Sequence, residues 1–535
     1  MKTFSLRRKF FVLITIGVLV INVLLSAPQK AFALTNKPNI IFVLVDDMDA
    51  DTINRNPEKY APRIKSLLLD RGVTFPKFFV NVSLCCPSRT NILRGQCAHN
   101  TGVLTNSLPD GGFQKAYAKG LEKETIATSL QANGYRTALI GKYLNGYPDT
   151  APNDTYIPPG WTEWYSPMEN GRKKYGNPYS QFNYTLNKNG KLVKYGDKPE
   201  DYGTDVYTGF AVDFIQRSAK DSKPFFVYLA PFNIHGPYTP APRHEKLFPD
   251  TKAPRPDNFN EADVSTKPQY IKHLERLNQT QIDDVDKSYR KRLRSLQSVD
   301  EAIGKLVDTL KANRQLDNTY IVLTSDNGYK QGIHRISSGK QSAYEEDIRL
   351  TLVVRGPGIP AGKKLQEQVG NIDFFPTFTE IAGVKPPAFV DGRSFLPLLM
   401  GTTPELPKWR HAFLVEHKQN QKRRTLEDRI GLQDRSELED RVELEDLSEL
   451  ESLRKGGQIP NIPTYQAIRT EDYTYIEYET GEKELYNINQ DPYQLNNLAS
   501  KADPTLLKQL ADRLSRLRTC KADSCRAIEE EPFTP

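Results

Sequence analysis

The sequence predicts an α/β protein with a buried, mostly parallel sheet. Four apolar runs of strand length occur, at residues 40–45, 137–140, 225–230 and 320–323, and each ends directly in polar residues. Uninterrupted apolar runs are typical of strands that are covered on both faces, as in parallel sheets. Apolar residues also recur at steps of three and four over 293–310, which predicts an amphipathic helix. Alternating strands and helices indicate the α/β class.

Polar residues follow all four predicted strands. In open α/β sheets, ligands bind outside the carboxyl ends of the strands, so these residues are expected to meet at one edge. Each of them alone would be an ordinary polar loop residue. Three carboxylates and one amide oxygen at such an edge suit a hard divalent cation, Ca²⁺ or Mg²⁺, better than zinc. The polar residues at the strand ends include Asp46, Asp47, Lys142, His235, Asp326 and Asn327.

The composition excludes several classes of protein. The 535 residues are 38% hydrophobic and 26% charged and include 37 Pro and 33 Gly, which disfavours a collagen, a coiled-coil rod and a multispan membrane protein. The net charge is +7, but the first thirty positions carry five basic residues and no acid, so the remainder carries only +2. A nearly neutral chain offers no electrostatic basis for nucleic-acid binding, and any recognition of an anion must be local.

Residues 1–33 have the pattern of a signal peptide. A basic start precedes an apolar run at 10–25, and Ala31 and Ala33 stand at the two positions that a signal peptidase reads. The alternative is an uncleaved membrane anchor, although the run is shorter than the about 20 residues that span a bilayer. We expect a secreted or periplasmic protein that begins near Leu34 and has no stable membrane insertion after cleavage.

Two domains are expected, at residues 34–405 and 406–535. The second contains alternating residues at 473–478 and an amphipathic pattern at 506–517, which predict a small antiparallel sheet with a covering helix. It also contains a charged repeat at 422–455 with a leucine at every sixth position. A step of six does not match the helical period, so no coiled coil is predicted. We interpret the repeat as a solvated insertion that can be removed without loss of catalysis, with an interaction element as the alternative.

A surface hairpin is predicted at 184–195. Asn189-Gly190 there separates two short runs of alternating residues. This dipeptide adopts the left-handed backbone conformation that a tight hairpin turn requires.

Five cysteines are an odd number for an exported chain, in which thiols tend to pair. Cys520 and Cys525 lie close together in a polar tail, where they can form a local disulfide. Cys85, Cys86 and Cys97 form a second group. If two cysteines of this group pair, the third is left without a disulfide partner.

The segment around Cys85 resembles a known family signature. Residues 85–89 read Cys-Cys-Pro-Ser-Arg, and residues 93–95 read Leu-Arg-Gly. They resemble the sulfatase signature, Cys-x-Pro-Ser-Arg followed by Leu-Thr-Gly, with Arg94 in place of the usual threonine. The resemblance reaches almost the whole mature chain and implies an alkaline-phosphatase-like fold, in which helices sandwich the sheet. It also implies that a formylglycine-generating enzyme oxidises Cys85 to Cα-formylglycine during export, which accounts for the odd cysteine.

The other cysteines then allow three pairings, one of which joins Cys86 to Cys97. Further segments resemble the N-acetylglucosamine-6-sulfatase branch of the family and its bacterial arylsulfatase relatives. In this context Trp161 and Trp164 either stack on sugars or order a loop against the core. The resembling segments are Gly-Lys-Tyr-Leu-Asn at 141–145, Pro-Pro-Gly-Trp at 158–161, Asn-Glu-Ala-Asp at 260–263 and Lys-Pro at 267–268.

The resemblance implies a role for each residue of the predicted site. Arg89 holds the hydrate of the aldehyde at position 85. Lys142, His235 and Lys340 bind the sulfate group and assist the leaving oxygen. The cation is usually Ca²⁺, with Mg²⁺ possible, and its implied ligands are Asp46, Asp47, Cys85 as the aldehyde hydrate, Asp326 and Asn327.

The implied reaction uses the two hydroxyls of the hydrated aldehyde. One hydroxyl, activated by the metal and Asp326, attacks sulfur and expels the alcohol, which His235 or Lys340 protonates. Deprotonation of the second hydroxyl expels sulfate and restores the aldehyde. Many sulfatases have a histidine two residues after the lysine as the base for this step, but Leu144 stands at that position here. His99 and His235 are therefore the candidate bases.

The expected function is hydrolysis of sulfate monoesters of sulfated sugars or aryl alcohols. The cation, the lysines and the arginine stabilise the negative charge that develops on the sulfate oxygens. One alternative is a phosphonate or phosphate ester hydrolase on the same scaffold. Another is a non-catalytic sulfoglycan-binding protein in which Cys85 stays a thiol.

Overall fold

A large sheet forms the centre of the molecule. The computed structural model describes residues 37–170, 173–221, 223–401, 409–419 and 456–533. The predicted signal peptide, the charged repeat and the domain boundary near Leu406 lie outside these residues. The strands of the large sheet are β1 (Asn39–Val45), β2 (Val73–Phe79), β3 (Arg136–Gly141), β4 (Glu163–Pro167), β5 (Tyr184–Lys188), β6 (Lys191–Tyr195), β7 (Phe225–Ala230), β8 (Thr319–Ser325), β9 (Arg349–Arg355), β10 (Lys363–Lys364) and β11 (Val369–Gly370).

The order of these strands confirms the predicted α/β class. It is β10-β2-β9-β8-β1-β7-β3-β4-β5-β6, and β11 also pairs with β2. The neighbours β8, β1, β7, β3 and β4 run parallel at the centre, whereas β9, β5 and β6 are antiparallel to their neighbours. The four strands predicted from apolar runs are β1, β3, β7 and β8, all in this central group.

Strand β1 illustrates why the central strands are apolar throughout. All of its residues are buried. Ile40, Phe42 and Leu44 pack on one face of the sheet, and Ile41 and Val43 pack on the other. Successive side chains of a strand point to opposite faces, so a strand that is covered on both faces leaves no position for a polar residue.

Helices cover both faces of the large sheet. The predicted amphipathic helix at 293–310 is the second half of a longer helix, which begins with a capping box between Asn278 and Gln281. No helix in the described part of the chain is both long enough and apolar enough to cross a membrane. The helices of seven or more residues are α1 (Cys85–Arg94), α2 (Gly112–Ala118), α3 (Ile126–Ala132), α4 (Gly203–Ser218), α5 (Gln279–Ala312), α6 (Phe374–Ile381), α7 (Pro504–Leu517) and α8 (Asp523–Glu530). Shorter helices span Ala50–Asn54, Pro57–Tyr60, Pro62–Ile64, Ala98–Thr101, Gln269–Lys272, Glu345–Ile348 and Leu396–Met400.

The predicted hairpin is formed by β5 and β6. Asn189 and Gly190 make its turn with φ angles of 51° and 87°, the left-handed values expected for this dipeptide. Because β5 also pairs with β4, the hairpin extends the edge of the large sheet and is not a separate surface element.

A smaller antiparallel sheet follows, as predicted. Leu510 and Leu514 of α7 pack on one of its faces, and Phe79 and Ile372 pack on the other. The described residues from Pro38 onwards form one compact unit, and a domain boundary near Leu406 stays a prediction. The strands of this sheet, in spatial order, are β12 (Ala412–His417), β13 (Tyr465–Thr470), β14 (Tyr473–Tyr478) and β15 (Lys483–Asn487).

The cysteines follow the prediction in part. Cys520 and Cys525 form the expected local disulfide, with an S–S distance of 2.03 Å. Cys86 and Cys97 are not bonded to each other. Cys86 packs in the core beneath the large sheet, whereas Cys97 packs in the cluster next to the smaller sheet, so this one of the three possible pairings is not formed.

Candidate active site

The carboxyl ends of four parallel strands form one edge of the large sheet, and the structure brings the predicted site residues together there. Cys85 is the first residue of α1, and Lys340 lies in the loop between β8 and β9. Every predicted site side chain is buried, and the most exposed of them has 6% of its surface accessible. The residues that follow the strands are Asp46 and Asp47 after β1, Lys142 after β3, His235 after β7, and Asp326 and Asn327 after β8.

Backbone hydrogen bonds between the loops fix this edge. The Asp46 N–H donates to the Asn233 carbonyl, and the Ile234 N–H donates to the Asp46 carbonyl, both at 2.8 Å. Asp47 has a φ of 59°, in the left-handed region that residues other than glycine rarely adopt. Arg292 of α5 donates to the Asp47 carbonyl at 2.7 Å and thereby holds this turn in place.

Cys85 lies between cationic and anionic groups. Its thiol donates to Asp46 Oδ1 at 3.3 Å, and its Sγ lies 4.0 Å from Asp47 Oδ1. Lys340 Nζ donates to Cys85 Sγ at 2.8 Å and to Asp47 Oδ1 at 2.7 Å. The dipole of α1 also favours negative charge at its N-terminus, where Cys85 stands.

Arg89 lies one turn further along α1 and contacts the end of β8. Its Nε donates to Asp326 Oδ2 at 2.8 Å, and its Nη1 donates to the Lys142 carbonyl at 3.2 Å. Asp326 Oδ1 accepts from the backbone N–H groups of Asp47 and Asn327. Both carboxylate oxygens of Asp326 are therefore already hydrogen-bonded. Arg89 Nη2 is buried and has no hydrogen-bond partner among the described residues, so it can donate to a ligand.

Lys142 compensates the charge of Asp46. Lys142 Nζ donates to Asp46 Oδ2 at 2.9 Å and lies 4.9 Å from the centre of the Tyr179 ring. Burial opposes ionisation of Asp46, but the charges of Lys142, His235 and Arg89 outweigh it and lower the pKa of the Asp46 carboxyl. Asp46 is thus an anion in the folded protein.

His235 has a defined orientation next to Asp47. Its Nδ1 lies 2.9 Å from the Gly236 carbonyl oxygen, and its Nε2 lies 3.5 Å from Asp47 Oδ2. A carbonyl oxygen can only accept, so Nδ1 carries a proton and Nε2 is the atom that gains or loses one. The ring packs against Tyr179 with 4.7 Å between the ring centres.

The donor set at this edge fits a hard divalent cation. Asp46, Asp47, Cys85 and His235 each place one ligand atom within 4.8 Å of the others. Asp47 Oδ2 and Asn327 Oδ1 are buried and have no hydrogen-bond partner within the described ranges. Buried oxygens of this kind are unfavourable unless a ligand satisfies them, and carboxylate and amide oxygens are the ligands that Ca²⁺ and Mg²⁺ prefer.

His99 belongs to a different cluster, next to the smaller sheet. Its Nδ1 lies 3.0 Å from Glu416 Oε2, and its Nε2 lies 2.9 Å from the Cys520 carbonyl oxygen. Both nitrogens therefore face acceptors and must carry protons. Of the two candidate bases, His235 therefore lies in the site and His99 lies outside it. Leu144 is buried in the core.

Trp161 and Trp164 pack in the core. Trp164 is fully buried, and its Nε1 donates to Tyr147 Oη at 2.8 Å. Trp161 stacks on Phe226 with 6.0 Å between the ring centres. Of the two interpretations of these residues, sugar stacking is wrong and the core role is confirmed.

Three residues next to the site were not found from the sequence. Arg292 lies in the more polar first half of α5, and Tyr179 lies in a loop before the hairpin. Glu169 follows β4 at the same edge of the sheet as the other site residues. β4 reads Glu-Trp-Tyr-Ser-Pro and lacks an apolar run, so neither the strand nor the polar residue after it was recognised. Its two adjacent aromatic residues were the one available signal.

Known proteins resemble this chain along most of its length. The family model for sulfatases matches residues 38–384, and the model for the C-terminal region of N-sulphoglucosamine sulphohydrolase matches residues 334–442. The chain belongs to the sulfatase family. This sulfatase is 35% identical to the N-acetylglucosamine-6-sulfatase of Capra hircus over 504 residues, which cover 92% of the chain and 85% of the relative. It is 31% identical to an arylsulfatase of Volvox carteri over 544 residues, which cover 93% and 77%.

A solved structure shows the same fold. It is the structure of a protein in complex with its substrate D-glucosamine-2-N,6-O-disulfate, with a TM-score of 0.70, 24% identity and coverage of 93% of this sulfatase and 100% of that chain. The fold implied by the signature around Cys85 is therefore confirmed. Family membership, with relatives similar over more than nine tenths of the chain, shows that this sulfatase is a sulfuric ester hydrolase.

Proposed function

We propose that this sulfatase is exported and uses a formylglycine at position 85, together with Ca²⁺, to hydrolyse sulfate monoesters of sulfated sugars. The N-acetylglucosamine-6-sulfatase relative and the glucosamine disulfate in the similar structure support a 6-O-sulfated glucosamine unit as the substrate. The arylsulfatase relative supports activity on aryl sulfates. Export rests on the sequence pattern of residues 1–33, and it would bring the chain to the enzyme that converts Cys85.

The position of Cys85 carries this proposal. Its sulfur lies 2.8 Å from Lys340 Nζ and 3.3 Å from Asp46 Oδ1, among groups that offer oxygen ligands to a hard cation. A thiol is a soft ligand and adds little to such a site. A hydrated aldehyde at the same position adds oxygens of the type that the cation prefers. The position of Cys85 therefore supports the modified side chain.

The site residues bind an anion and compensate its charge. When bound, the cation supplies further stabilisation of negative oxygens, and Asp46, Asp47, Asp326 and Asn327 hold it. Once formed, the aldehyde hydrate supplies the nucleophilic oxygen. Lys340 lies next to Cys85, and Lys142 lies next to Asp46. Both lysines donate to the sulfate oxygens on which charge develops. The Nη2 donor of Arg89 binds an oxygen of the hydrate.

His235 moves the protons of both steps. In its protonated form, Nε2 gives a proton to the leaving alcohol oxygen and becomes a lone-pair nitrogen, while Nδ1 keeps its proton on the Gly236 carbonyl. The same Nε2 then takes a proton as sulfate departs. The proton of the attacking hydroxyl passes to Asp326 and leaves to solvent, while His235 recovers from the second hydroxyl the proton that it gave to the alcohol. A second histidine at the position of Leu144 is therefore not required.

The test is to change Cys85 and to weigh the peptide that contains it. We expect the native peptide to show the mass deficit of an aldehyde relative to a thiol. Cys85→Ala is expected to release no sulfate from 6-O-sulfated N-acetylglucosamine and to melt like the native protein, because it removes no charge. Cys97→Ala serves as the matched control, since Cys97 is equally buried but lies outside the site.

Two results would overturn the proposal. One is an active preparation in which Cys85 is an unmodified thiol. The other is a Cys85→Ala variant with the full rate. A preference for aryl phosphonates over aryl sulfates by orders of magnitude would instead favour the phosphonate hydrolase.

A further inference from the structure

Glu169 is a buried carboxyl group at the catalytic edge that has no role in the reaction described above. It lies two residues beyond β4, so it joins the residues that follow β1, β3, β7 and β8 at the same edge. Its N–H donates to the Tyr147 carbonyl at 2.8 Å, which fixes the backbone. The residue is only 5% exposed. Burying a charged carboxyl group costs free energy unless neighbouring groups donate hydrogen bonds to it or carry the opposite charge.

The two oxygens of Glu169 differ in their contacts. Oε2 accepts from Tyr179 Oη at 3.1 Å. Oε1 is buried and has no hydrogen-bond partner in the part of the chain that the structure describes. Burial raises the pKa of Glu169 to about 7, although the charges of Lys142 and Arg89 lower it. Glu169 therefore changes charge near neutral pH.

Tyr179 connects Glu169 to two residues of the sulfate site. Its hydroxyl donates to Glu169 and accepts from Asn145 Nδ2 at 3.2 Å, so hydrogen bonds fix the hydroxyl both as donor and as acceptor. One face of its ring lies 4.9 Å from Lys142 Nζ, and the ring packs against that of His235 at 4.7 Å. A shift of this ring would move both side chains.

We propose that Glu169 is a positioning residue that, through Tyr179, holds Lys142 and His235 in the arrangement that binds the sulfate group. This inference rests on the roles proposed above for those two residues, sulfate binding by Lys142 and proton transfer by His235. The ionised carboxylate accepts a stronger, charge-assisted hydrogen bond from Tyr179 than the neutral acid does. It also attracts the ammonium group of Lys142. The charged and titratable groups that act on Glu169 are Lys142, Arg89, Asp46, Tyr179 and Tyr207.

The decisive variant is Glu169→Gln, which keeps an acceptor for Tyr179 but carries no charge. We expect its kcat/KM for 6-O-sulfated N-acetylglucosamine, measured as released sulfate, to equal the native value well below pH 7. Above pH 8 the native value is expected to be about tenfold higher, the size of one charge-assisted hydrogen bond. The difference is expected mainly in KM, because Lys142 binds the sulfate before the reaction.

Glu122 offers a matched control. It is equally buried, and burial raises its pKa to about 7 as well. It accepts from Tyr143 Oη at 2.8 Å and from Tyr156 Oη at 3.0 Å, in an aromatic cluster outside the site. Glu122→Gln is expected to keep the native pH profile of kcat/KM. A general effect of neutralising a buried glutamate would change both profiles alike and would overturn the inference.

A second variant removes the connection between Glu169 and the site. Tyr179→Phe keeps the ring but lacks the hydroxyl that donates to Glu169, so most of the rise in kcat/KM should be lost, as in Glu169→Gln. In the Cys85→Ala background, infrared difference spectra should show a carboxyl band that titrates near pH 7 and disappears in Glu169→Gln. The infrared measurement does not require catalytic turnover. It therefore separates failure of this inference from failure of the proposed nucleophile. Parallel pH profiles for native protein and Glu169→Gln, or the absence of that band, would overturn it.

Discussion

The charged residues of the active site are each buried, yet they compensate one another. Removing one partner of a buried ion pair leaves the other uncompensated and typically costs about 3–5 kcal/mol. Substitutions of the site lysines therefore report on folding as well as on sulfate binding. Cys85→Ala removes no charge, which makes it the cleaner test of the nucleophile. The pairs are Asp46 with Lys142, Asp47 with Lys340 and Asp326 with Arg89.

A second single residue, His99, links stability to pH. Burial opposes its charged form, but the hydrogen bond to Glu416 outweighs burial and raises the pKa of His99 to about 9. The pKa of an unfolded histidine is about 6.5, so the folded state binds the proton more tightly. The stabilisation is fully present below pH 6.5 and is lost as pH rises through 9, with a total of about 3 kcal/mol.

We expect His99→Gln to remove this pH dependence. Native protein should lose about 3 kcal/mol of unfolding free energy relative to His99→Gln between pH 6 and pH 10, measured by urea unfolding at each pH. His273 is exposed and serves as the control. Stability curves for native protein and His99→Gln that run parallel over this range would contradict the assignment.

At the scale of secondary structure, helix α5 supports the proposed metal site. Arg292 Nη2 donates to the Asp47 carbonyl and, at 2.9 Å, to Asp49 Oδ2, while the guanidinium lies 4.8 Å from the ring of Tyr329. Asp47 and Tyr329 belong to the loops that follow β1 and β8. One side chain from the helix therefore holds two loops that carry proposed metal ligands.

We expect Arg292→Gln to weaken calcium binding at least about tenfold, as is typical when a group that orients a metal ligand is lost. Titration calorimetry with CaCl₂ on the Cys85→Ala background measures this without turnover. Arg294→Gln is the matched control on the same helix, because Arg294 Nε donates to the Leu247 carbonyl at 2.6 Å, outside the loops that carry the proposed ligands. Equal affinities for the two variants would contradict the role of Arg292.

The elements also show what a sequence can and cannot predict. β1, β3, β7 and β8 were predicted because strands covered on both faces are apolar throughout. The polar residues after them were predicted for the same reason, since parallel strands end at one edge. β4 was missed because it is aromatic and polar, and Glu169 was missed with it. Arg292 could not be predicted, because its contact with Asp47 joins residues that are 245 positions apart.

At the scale of the whole molecule, the smaller sheet contacts the segments around the catalytic helix. Asn81, just before α1, donates from Nδ2 to the Leu414 carbonyl of β12 at 2.9 Å. The Glu416 N–H of β12 donates to the Asn81 carbonyl at 2.7 Å. Asn371, which precedes α6, donates to Ser88 Oγ of α1 at 3.0 Å. The helix that presents Cys85 is thus fixed partly by residues close to the smaller sheet.

Arg410 tests whether the two sheets unfold together. Its fully buried guanidinium donates to both oxygens of Asp373, at 2.6 and 2.8 Å, and to Glu529 Oε2 of α8 at 2.9 Å. Arg410→Ala leaves the buried Asp373 carboxylate without its cation, whereas Glu529 keeps Arg393 at 2.9 Å, so we expect a loss of about 3–5 kcal/mol in unfolding free energy. The exposed pair of Arg516 with Glu531 is the control, and Arg516→Ala should cost under about 1 kcal/mol.

The number of transitions in the unfolding curve shows whether the two sheets unfold together. If the smaller sheet is part of one cooperative unit, calorimetry of Arg410→Ala shows a single transition at a lower temperature, and sulfatase activity disappears over the same range. The hydrogen bonds from Asn81 and Asn371 favour this outcome, because they join the segments next to α1 to the smaller sheet and to the buried segment before α6. Two separate transitions, with activity surviving the first, would instead establish a domain boundary near Leu406 and would contradict a supporting role of the smaller sheet in catalysis.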